Sequence, residues 1–245
     1  MTDADARVRA FYGRYARLYD LVATRTPGVG GLRTAAVDAL SLSPGDTVVE
    51  MGCGTGANLP ALRERVGPTG RVLGVDFTPE ALSLARDRTA RWPNVSVLEG
   101  DAASPPVSGP VDAVLATFVV GVLADPPSAV RGWLDLLAPD GRAALLDAAS
   151  SPSRAAAPLN VAFGALVRLG NPGGLRSGAS LDRLDRRVTA AHDALAMAAT
   201  DAAVGYRALG FVRLTTGRRG DGSASDGADS RPGSDSDADA STAPR

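Results

Sequence analysis

Short β-type segments alternate with helical segments through the middle of the chain, and this alternation is the feature that most limits its fold. Helix-type stretches occur near residues 57–66, 79–91 and 126–137. They separate apolar runs typical of strands at residues 47–51, 71–76, 95–98, 111–116 and 142–147. Strands joined through helices pair in parallel by right-handed crossovers, which cover both faces of the sheet. The sequence therefore predicts an α/β fold with a doubly wound, mostly parallel sheet.

The segments on either side of this core have patterns of their own. Residues 1–46 have the pattern of a helical prefix, and residues 152–203 that of a helical insertion before the last strand. A short helix ending at Gly210 and a last strand at 211–216 follow, and we find no second strand to pair with that strand. We predict one domain over residues 1–216, with a prefix at 1–46, a core at 47–150 and a final part at 151–216. Residues 217–245 contain no large apolar side chain to offset the entropy of ordering, so we predict a disordered tail.

Composition excludes several classes of function. The formal net charge is -1, and the basic residues, all arginines, are interspersed with acids, so we expect no nucleic-acid partner. The single cysteine and single histidine rule out an internal disulfide and the usual Cys/His metal sites, so we expect no metal. The first residues carry acids where a signal peptide needs apolar side chains, and no stretch approaches the ~20 apolar residues of a membrane span. We expect a cytoplasmic protein.

A glycine-rich loop follows the first predicted strand and precedes a helix. Its glycines, Gly52, Gly54 and Gly56, allow a ligand to approach the backbone closely, and the helix N-terminus offers free N–H groups to a carboxylate or a phosphate. With Ala57 and with Asp76 about 20 residues further on, the loop satisfies the relaxed dinucleotide fingerprint. The loop alone therefore fits either a dinucleotide or S-adenosylmethionine.

Acids near the ends of three successive strands favour the second of these ligands. Glu50 would repel a pyrophosphate, whereas it could accept a hydrogen bond from an ammonium group. Asp76 is placed to hold a ribose diol, and Asp101 could accept from the adenine amino group while the backbone of Ala102 reads the ring edge. These three acids suit a positively charged adenosine better than NAD.

These motifs resemble, in order and spacing, those of the class I S-adenosylmethionine-dependent methyltransferases. The match covers about residues 44–147 and includes residues 50–56, 75–77, 100–102 and 112–115 and the stretch LLAPDGRAALLD. Within that class, FYGRYARLYD, GTGANLP and GVDFTPEAL are most similar to the methyltransferases of ubiquinone and menaquinone biosynthesis and the related phospholipid N-methyltransferases. The resemblance implies S-adenosylmethionine as cofactor and a small, lipophilic acceptor, quinone-like or lipid. Such an acceptor would bring the protein into peripheral contact with a membrane.

The resemblance also implies roles for individual residues. The glycine loop, with Cys53 and Asn58, would face the methionine part of the cofactor, and Thr117 would approach the methyl group from the substrate side. Asp76 would hold the ribose, Phe77 the adenine face, and Asp101 with Ala102 the adenine edge. The prefix helix with Tyr12, Tyr15 and Tyr19 would close over the cofactor, so we expect Tyr12 to contact it.

A base is needed if the acceptor is a ring carbon or a hydroxyl. The candidates are His192, Asp147 and Tyr19, although the polar residues around His192 predict a solvent-facing or capping histidine. Cys53 is expected as a small residue tolerated in the loop and not as a nucleophile.

Two other functions stay open at this point. One is a nicotinamide-dependent oxidoreductase, and the other is a non-catalytic cofactor-binding protein that has lost the chemistry. Residues 116–119 (ATFV) lack the Asn or Asp, Pro-Pro and aromatic pattern of enzymes that methylate nucleic-acid amines, which argues against base methylation.

Overall fold

The computed structural model describes residues 28–169 and 181–220, together with Ala16, Asp20, Leu21 and Arg25 of the prefix. Tyr12, Tyr15 and Tyr19 lie outside the described residues, as does most of the predicted tail, residues 221–245.

One seven-stranded sheet organises the described residues. Its order is β3-β2-β1-β4-β5-β7-β6, and only β7 runs antiparallel to its neighbours. The strands are β1 (Thr47–Met51), β2 (Arg71–Asp76), β3 (Val95–Glu99), β4 (Val111–Thr117), β5 (Leu137–Ala148), β6 (Ala199–Arg207) and β7 (Val212–Arg219). The order reverses between β1 and β4, which makes the carboxyl ends of these two strands the expected place for a ligand. The prediction of a doubly wound, mostly parallel sheet is confirmed.

The described part of the chain contains six α-helices, most of which pack on the two faces of this sheet. They are α1 (Val29–Ala39), α2 (Leu59–Val66), α3 (Pro79–Thr89), α4 (Pro126–Asp135), α5 (Ala157–Leu169) and α6 (Leu181–Ala198). Proline in the first turn begins α3 and α4, and the Asp125 side chain caps α4 by accepting from the Ser128 N–H at 3.2 Å. The starts of these two helices agree with the sequence pattern.

Each face of the sheet buries its own hydrophobic cluster. Val48 and Leu115 pack against α1, α2 and α3, whereas Val49, Val114 and Leu145 pack against α4 and α6. Neighbouring residues such as Val48 and Val49 belong to opposite clusters because side chains alternate across a strand. No helix in the described part of the chain is long and apolar enough to span a membrane.

The end of the sheet corrects two sequence predictions. Residues 199–203 were predicted to be helical, but β6 occupies Ala199–Arg207 and pairs antiparallel with β7. The short helix predicted to end at Gly210 is present as a 3₁₀ segment at Ala208–Gly210. The missing partner strand is therefore β6, which precedes β7. Its alanine-rich sequence has little strand propensity of its own, so the ladder with β7 determines its conformation. The last strand also continues to Arg219, past the predicted tail start at 217, because Gly217 and Arg218 still pair with β5.

Candidate active site

A cavity of about 170 Å³ lies at the carboxyl ends of β1 and β4. The glycine loop, the turn after β2 and the turn after β4 supply most of its lining, and Arg33 of α1 and Ala16 of the prefix complete it. The cavity therefore occupies the point where the strand order reverses, as the ligand-binding rule for open α/β sheets predicts.

The glycine loop is shaped for close backbone approach. Gly52, Gly54 and Gly56 all have positive φ, at 67°, 53° and 74°. A Cβ at Gly52 would overlap Val119, and one at Gly56 would lie 2.9 Å from Leu59, so these two glycines are needed for packing. A Cβ at Gly54 would meet no atom within 4 Å. Gly54 lines the cavity, so the absence of its side chain leaves room for a ligand.

Glu50 is a fully buried carboxylate behind the cavity wall. Its Oε1 accepts from Asn58 Nδ2 at 2.5 Å, and Asn58 also donates to Thr117 Oγ1, on the cavity wall, at 3.0 Å. Its Oε2 is buried without a hydrogen-bond partner. Burial raises the pKa of Glu50 to about 7, against the opposing effects of the Asn58 hydrogen bond and the Arg33 charge. The unpartnered oxygen is available to a cationic group.

Arg33 brings a positive charge into the same network, and sequence reasoning missed it. Its Nη1 donates to Asn58 Oδ1 and to Thr117 Oγ1, each at 3.2 Å, and its guanidinium lies 5.2 Å from the ring centroid of Phe118. Its Nε is buried without a partner, and burial lowers the pKa of the guanidinium. The signal was present in the sequence, because Arg33 precedes the buried residues Ala36, Val37 and Leu40 at helical spacing.

Asp76 ties the glycine loop to the turn after β2. Its Oδ2 accepts from the Gly54 N–H at 2.9 Å and its Oδ1 from the Thr78 N–H at 2.8 Å. Burial raises the pKa of Asp76, although these backbone hydrogen bonds act in the opposite direction. Asp76 also lines the cavity, where its carboxylate faces the space available to a ligand. Phe77 lines the cavity beside Asp76.

The third acid lies apart from the other two. The carboxylate of Asp101 is exposed and accepts from the Ala103 N–H at 2.8 Å. Ala102 is buried, and its carbonyl accepts from Trp133 Nε1 at 2.7 Å. Neither residue is among those that line the cavity. The structure thus brings Glu50 and Asp76 together, and the roles assigned to Asp101 and Ala102 stay predictions.

Cys53 lines the cavity as a buried thiol. A Cβ at Gly74 would lie 2.8 Å from its Sγ, so the side chain fills the space that this glycine leaves. Burial raises its pKa well above the usual range, and the charges of Glu50 and Asp76 act in the same direction. A thiol held in its neutral form is a poor nucleophile, which agrees with a packing role.

His192 is fully buried, so the prediction of a solvent-facing or capping histidine was wrong. Its Nδ1 lies 2.7 Å from Thr215 Oγ1 and its Nε2 lies 3.3 Å from Asp147 Oδ2. The reason is again helical spacing, since His192 shares the sheet-facing side of α6 with Val188 and Leu195. The structure brings the two catalytic candidates His192 and Asp147 together, but neither lines the cavity.

The described residues of the prefix reach the glycine loop. Ala16 lines the cavity, and Asp20 Oδ1 accepts from Thr55 Oγ1 at 2.6 Å and from Arg88 Nη2 at 2.7 Å. Arg88 also donates to the Thr55 carbonyl. Asp20 therefore links the prefix to the glycine loop, through Thr55, and to α3, through Arg88. The contacts expected for Tyr12 and Tyr19 lie outside the described residues and stay predictions.

Comparison with known proteins agrees with this geometry. Residues 48–141 match the family model described as "Methyltransferase domain". A 2-phytyl-1,4-naphtoquinone methyltransferase of Thermosynechococcus vestitus is 36% identical over 143 residues, which are 57% of this chain and 64% of that protein. A demethylmenaquinone methyltransferase of Staphylococcus aureus is 32% identical over 93 residues, 38% of each chain. The chain thus spans less than two thirds of the length of these curated relatives.

A solved structure extends the likeness to the fold. The S-adenosylmethionine-dependent methyltransferase of Aquifex aeolicus aligns with a TM-score of 0.58 at 17% identity, covering 84% of this chain and 97% of that one. Residues 48–141 thus match a methyltransferase domain model, and the fold is similar to that of a solved S-adenosylmethionine-dependent methyltransferase. Among curated proteins, the domain is similar to the quinone methyltransferases, as the sequence motifs indicated.

Proposed function

We propose that this protein transfers a methyl group from S-adenosylmethionine to a small, lipophilic acceptor of the quinol type. The observation that carries the proposal is a cavity whose lining combines ionic and apolar groups. Arg33 and Asp76 line it together with the apolar side chains of Phe118, Val119 and Val122, and Glu50 is buried behind the wall. A donor with an amino-acid part and an acceptor with an apolar ring need these two environments next to each other.

The buried polar atoms fit the donor. Arg33 has an unpartnered N–H for the methionine carboxylate, and Glu50 has an unpartnered oxygen for its ammonium group. Asp76 is left to hold the ribose diol. NAD has neither an amino-acid carboxylate nor an ammonium group, so this pair of unpartnered atoms favours S-adenosylmethionine over the nicotinamide alternative.

The acceptor side of the cavity is apolar and partly open. Phe118 and Val122 are each 37% exposed at its edge, although both line it. An exposed pair of large apolar side chains next to a cavity suits a lipophilic ring. The substrates in the names of the two relatives, a naphthoquinone and a demethylmenaquinone, support the quinol class. A substrate of that kind would be drawn from a membrane, so we propose peripheral contact with the bilayer.

Most of the catalysis would come from positioning. Bound S-adenosylmethionine supplies a methyl group already activated on a sulfonium. Transfer to a ring carbon would exchange the S–CH₃ bond for a C–CH₃ bond, leave S-adenosylhomocysteine, and release the ring proton to solvent water at the open edge of the cavity. Orientation of two bound reactants can contribute effective molarities of roughly 10⁵ M or more. The chain's own task is to hold the donor at Arg33, Glu50 and Asp76 and to present the acceptor along the wall that contains Phe118.

The direct test combines binding and transfer. We expect calorimetry to show binding of S-adenosylhomocysteine, and we expect label to pass from [methyl-³H]S-adenosylmethionine to reduced 2-phytyl-1,4-naphthoquinone. Asp76→Asn should weaken binding about tenfold or more, whereas Asp112→Asn, at an exposed carboxylate at the start of β4, should not.

Three results would contradict the proposal in different ways. Absence of binding at millimolar S-adenosylhomocysteine would overturn the donor. Protection by NAD alone would favour an oxidoreductase. Donor binding without transfer to the naphthoquinol or to any lipid-extract component would favour a non-catalytic cofactor-binding protein.

A further inference from the structure

A buried polar trio lies beside the cavity but outside its lining. His192, Asp147 and Thr215 are 0%, 2% and 0% exposed, and each comes from a different element, α6, β5 and β7. The imidazole bridges the other two side chains, at 2.7 Å to Thr215 Oγ1 and 3.3 Å to Asp147 Oδ2. Burying three polar side chains in a largely hydrophobic core is costly unless they are hydrogen-bonded, so the contacts within the trio offset the cost of burying it.

Asp147 connects this trio to the cavity wall. The Phe118 N–H donates to the carbonyl of Leu146, the residue before Asp147, at 2.7 Å. Burial raises the pKa of Asp147, whereas the backbone N–H groups of Val119 and Val120 face its carboxylate, favour its ionised form and so act in the opposite direction. These residues belong to the turn after β4, and Phe118, Val119 and Val122 of that turn line the cavity. One carboxylate is thus shared between the histidine of α6 and the backbone of the apolar wall.

The same helix holds the turn at a second point. Arg187 Nη1 donates to the Gly121 carbonyl at 3.2 Å, and a Cβ at Gly121 would overlap Leu184. The turn has little regular structure of its own, only a 3₁₀ segment at Val120–Val122, and Phe118 sits in the left-handed region at φ 58°. A strained turn of this kind keeps its shape only where its surroundings fix it.

The trio does not have the geometry of a general base. A base must lie within hydrogen-bond reach of the proton that it removes, or one water away from it. His192 and Asp147 are enclosed, their polar atoms are engaged with each other, with Thr215 and with the turn backbone, and neither lines the cavity. Their contact with the site passes through the backbone of Val119 and Val120.

We propose that His192 is a positioning residue for the acceptor: through Asp147 it fixes the turn after β4, and with it the wall that carries Phe118. Thr215 holds the imidazole in the orientation that keeps Nε2 on Asp147. Loss of the trio shifts the acceptor relative to the donor. The hydrogen bonds that hold Arg33, Glu50 and Asp76 in the donor subsite are made to residues outside the turn, so these bonds are kept. This inference rests on the proposed methyl transfer for its kinetic consequence only.

The experiment removes one buried hydroxyl at a time. Thr215→Val deletes the hydrogen bond to His192 Nδ1 at nearly constant volume, and Thr215→Ser keeps it. The matched control is Thr89→Val, which deletes another buried hydroxyl, bonded to the Ala85 carbonyl at 2.8 Å on α3. Each variant is compared with the wild-type full chain at equal fractions folded.

Two readouts separate this inference from the proposed function. The first needs no acceptor: amide hydrogen exchange at Val119 and Val120 should accelerate at least tenfold in Thr215→Val and should stay unchanged in Thr89→Val and Thr215→Ser. Because His192 is the only histidine in the sequence, its single set of imidazole ¹⁵N signals should also shift in Thr215→Val.

The second readout is kinetic. With the naphthoquinol acceptor, Thr215→Val should lower kcat/KM by about 10- to 100-fold, the size expected for a misplacement of about 1 Å, while the Kd for S-adenosylhomocysteine changes less than threefold. Unchanged exchange at Val119 and Val120 would overturn the inference whatever the acceptor. An equal loss in donor and acceptor affinity, or the same loss in Thr89→Val, would also overturn it, because the trio would then act on general stability alone.

Discussion

Arg33 and Glu50 show how single residues set the charge of the candidate site. Each has a buried polar atom without a hydrogen-bond partner. The two side chains carry opposite charges and are linked by hydrogen bonds to Asn58, which also donates to Thr117. Such atoms cost free energy in the ligand-free protein, and a ligand with complementary charges recovers it. We therefore expect the two residues to make opposite and separable contributions to donor recognition.

Arg33 is expected to recognise the carboxylate of the donor. Arg33→Met should weaken S-adenosylhomocysteine about 10- to 100-fold, the range for a charge-assisted hydrogen bond. It should leave 5′-methylthioadenosine, which lacks the amino-acid part, within about threefold of wild type. Arg65→Met, which breaks the exposed 2.6 Å ion pair with Asp38, is the control. Equal losses for both ligands, measured by calorimetry, would show that Arg33 acts on the site as a whole.

Glu50 is expected to make the stability of the ligand-free protein fall as pH rises. Its pKa is raised from 4.5 to about 7 in the folded chain, so the folded state holds a proton that the unfolded state releases between these values. Stability from this group is present below pH 4.5 and is lost as pH rises through 7. Glu50→Gln should therefore stabilise the protein at pH 8, by at most about 3 kcal/mol, and change little at pH 5. Thermal unfolding of Glu50→Gln and of Glu64→Gln, whose side chain is 79% exposed, tests this. A stabilisation of the same size at both pH values would contradict it.

Asp20 of the prefix and strand β6 show how contacts with distant parts of the chain determine what a local segment does. The prefix carries Asp20 onto the glycine loop, and β6 completes the sheet beyond β7. Both depend on contacts with distant parts of the chain, Thr55 and Arg88 in the first case and the β7 ladder in the second.

The contact at Asp20 is expected to slow release of the donor. Its ion pair with Arg88 is partly exposed, with side chains 26% and 24% accessible, so its contribution is about 1 kcal/mol or less. Asp20→Ala should raise the dissociation rate of S-adenosylhomocysteine up to about fivefold and leave the unfolding temperature nearly unchanged. Stopped-flow displacement measures the rate, with Arg65→Met again as control. If Asp20→Ala lowered the association rate and left the dissociation rate unchanged, the expectation that this contact slows release of the donor would be contradicted.

The C-terminal boundary of the fold can be tested by truncation. Ending the chain after Thr216 removes Gly217, Arg218 and Arg219, which pair with β5 or β6, whereas ending it after Gly220 keeps β7 whole. The first truncation should lower the unfolding temperature by several degrees, and the second should leave it within about one degree. Calorimetry of the two truncated proteins measures the unfolding temperatures. If these were equal, the C-terminal boundary of the folded domain would lie at residue 216, as the sequence predicted.

At the scale of the whole molecule, patterns that extend over a segment predicted the fold well. The bounds of β1 and β2 agree residue for residue with the sequence because both are buried apolar runs between turn signals. The glycine loop and Asp76 were found because their spacing follows from the chemistry of a nucleoside. Strand β6 was missed because alanine and glycine have little intrinsic strand propensity, so pairing with β7 determines the conformation of this segment.

The side chains that sequence reasoning misjudged share one cause. Arg33 and His192 are polar residues on the apolar faces of helices, and the burial of each is set by the sheet beneath it. Composition alone favours an exposed surface for either residue type. The helical spacing of Arg33 to Ala36 and Val37, and of His192 to Val188 and Leu195, would have predicted that both side chains face inward. It would not have predicted which residues they contact there.

The cavity draws its lining from segments spread over more than a hundred positions, from Ala16 and Arg33 to Val122. None of these segments can hold an adenosine alone, because the carboxylates, the guanidinium and the apolar wall converge only after β1, β2 and β4 are side by side. Binding of the nucleoside thus requires the whole sheet to be folded. A ligand at about a hundred times its Kd would raise the free energy of unfolding by roughly 2.7 kcal/mol.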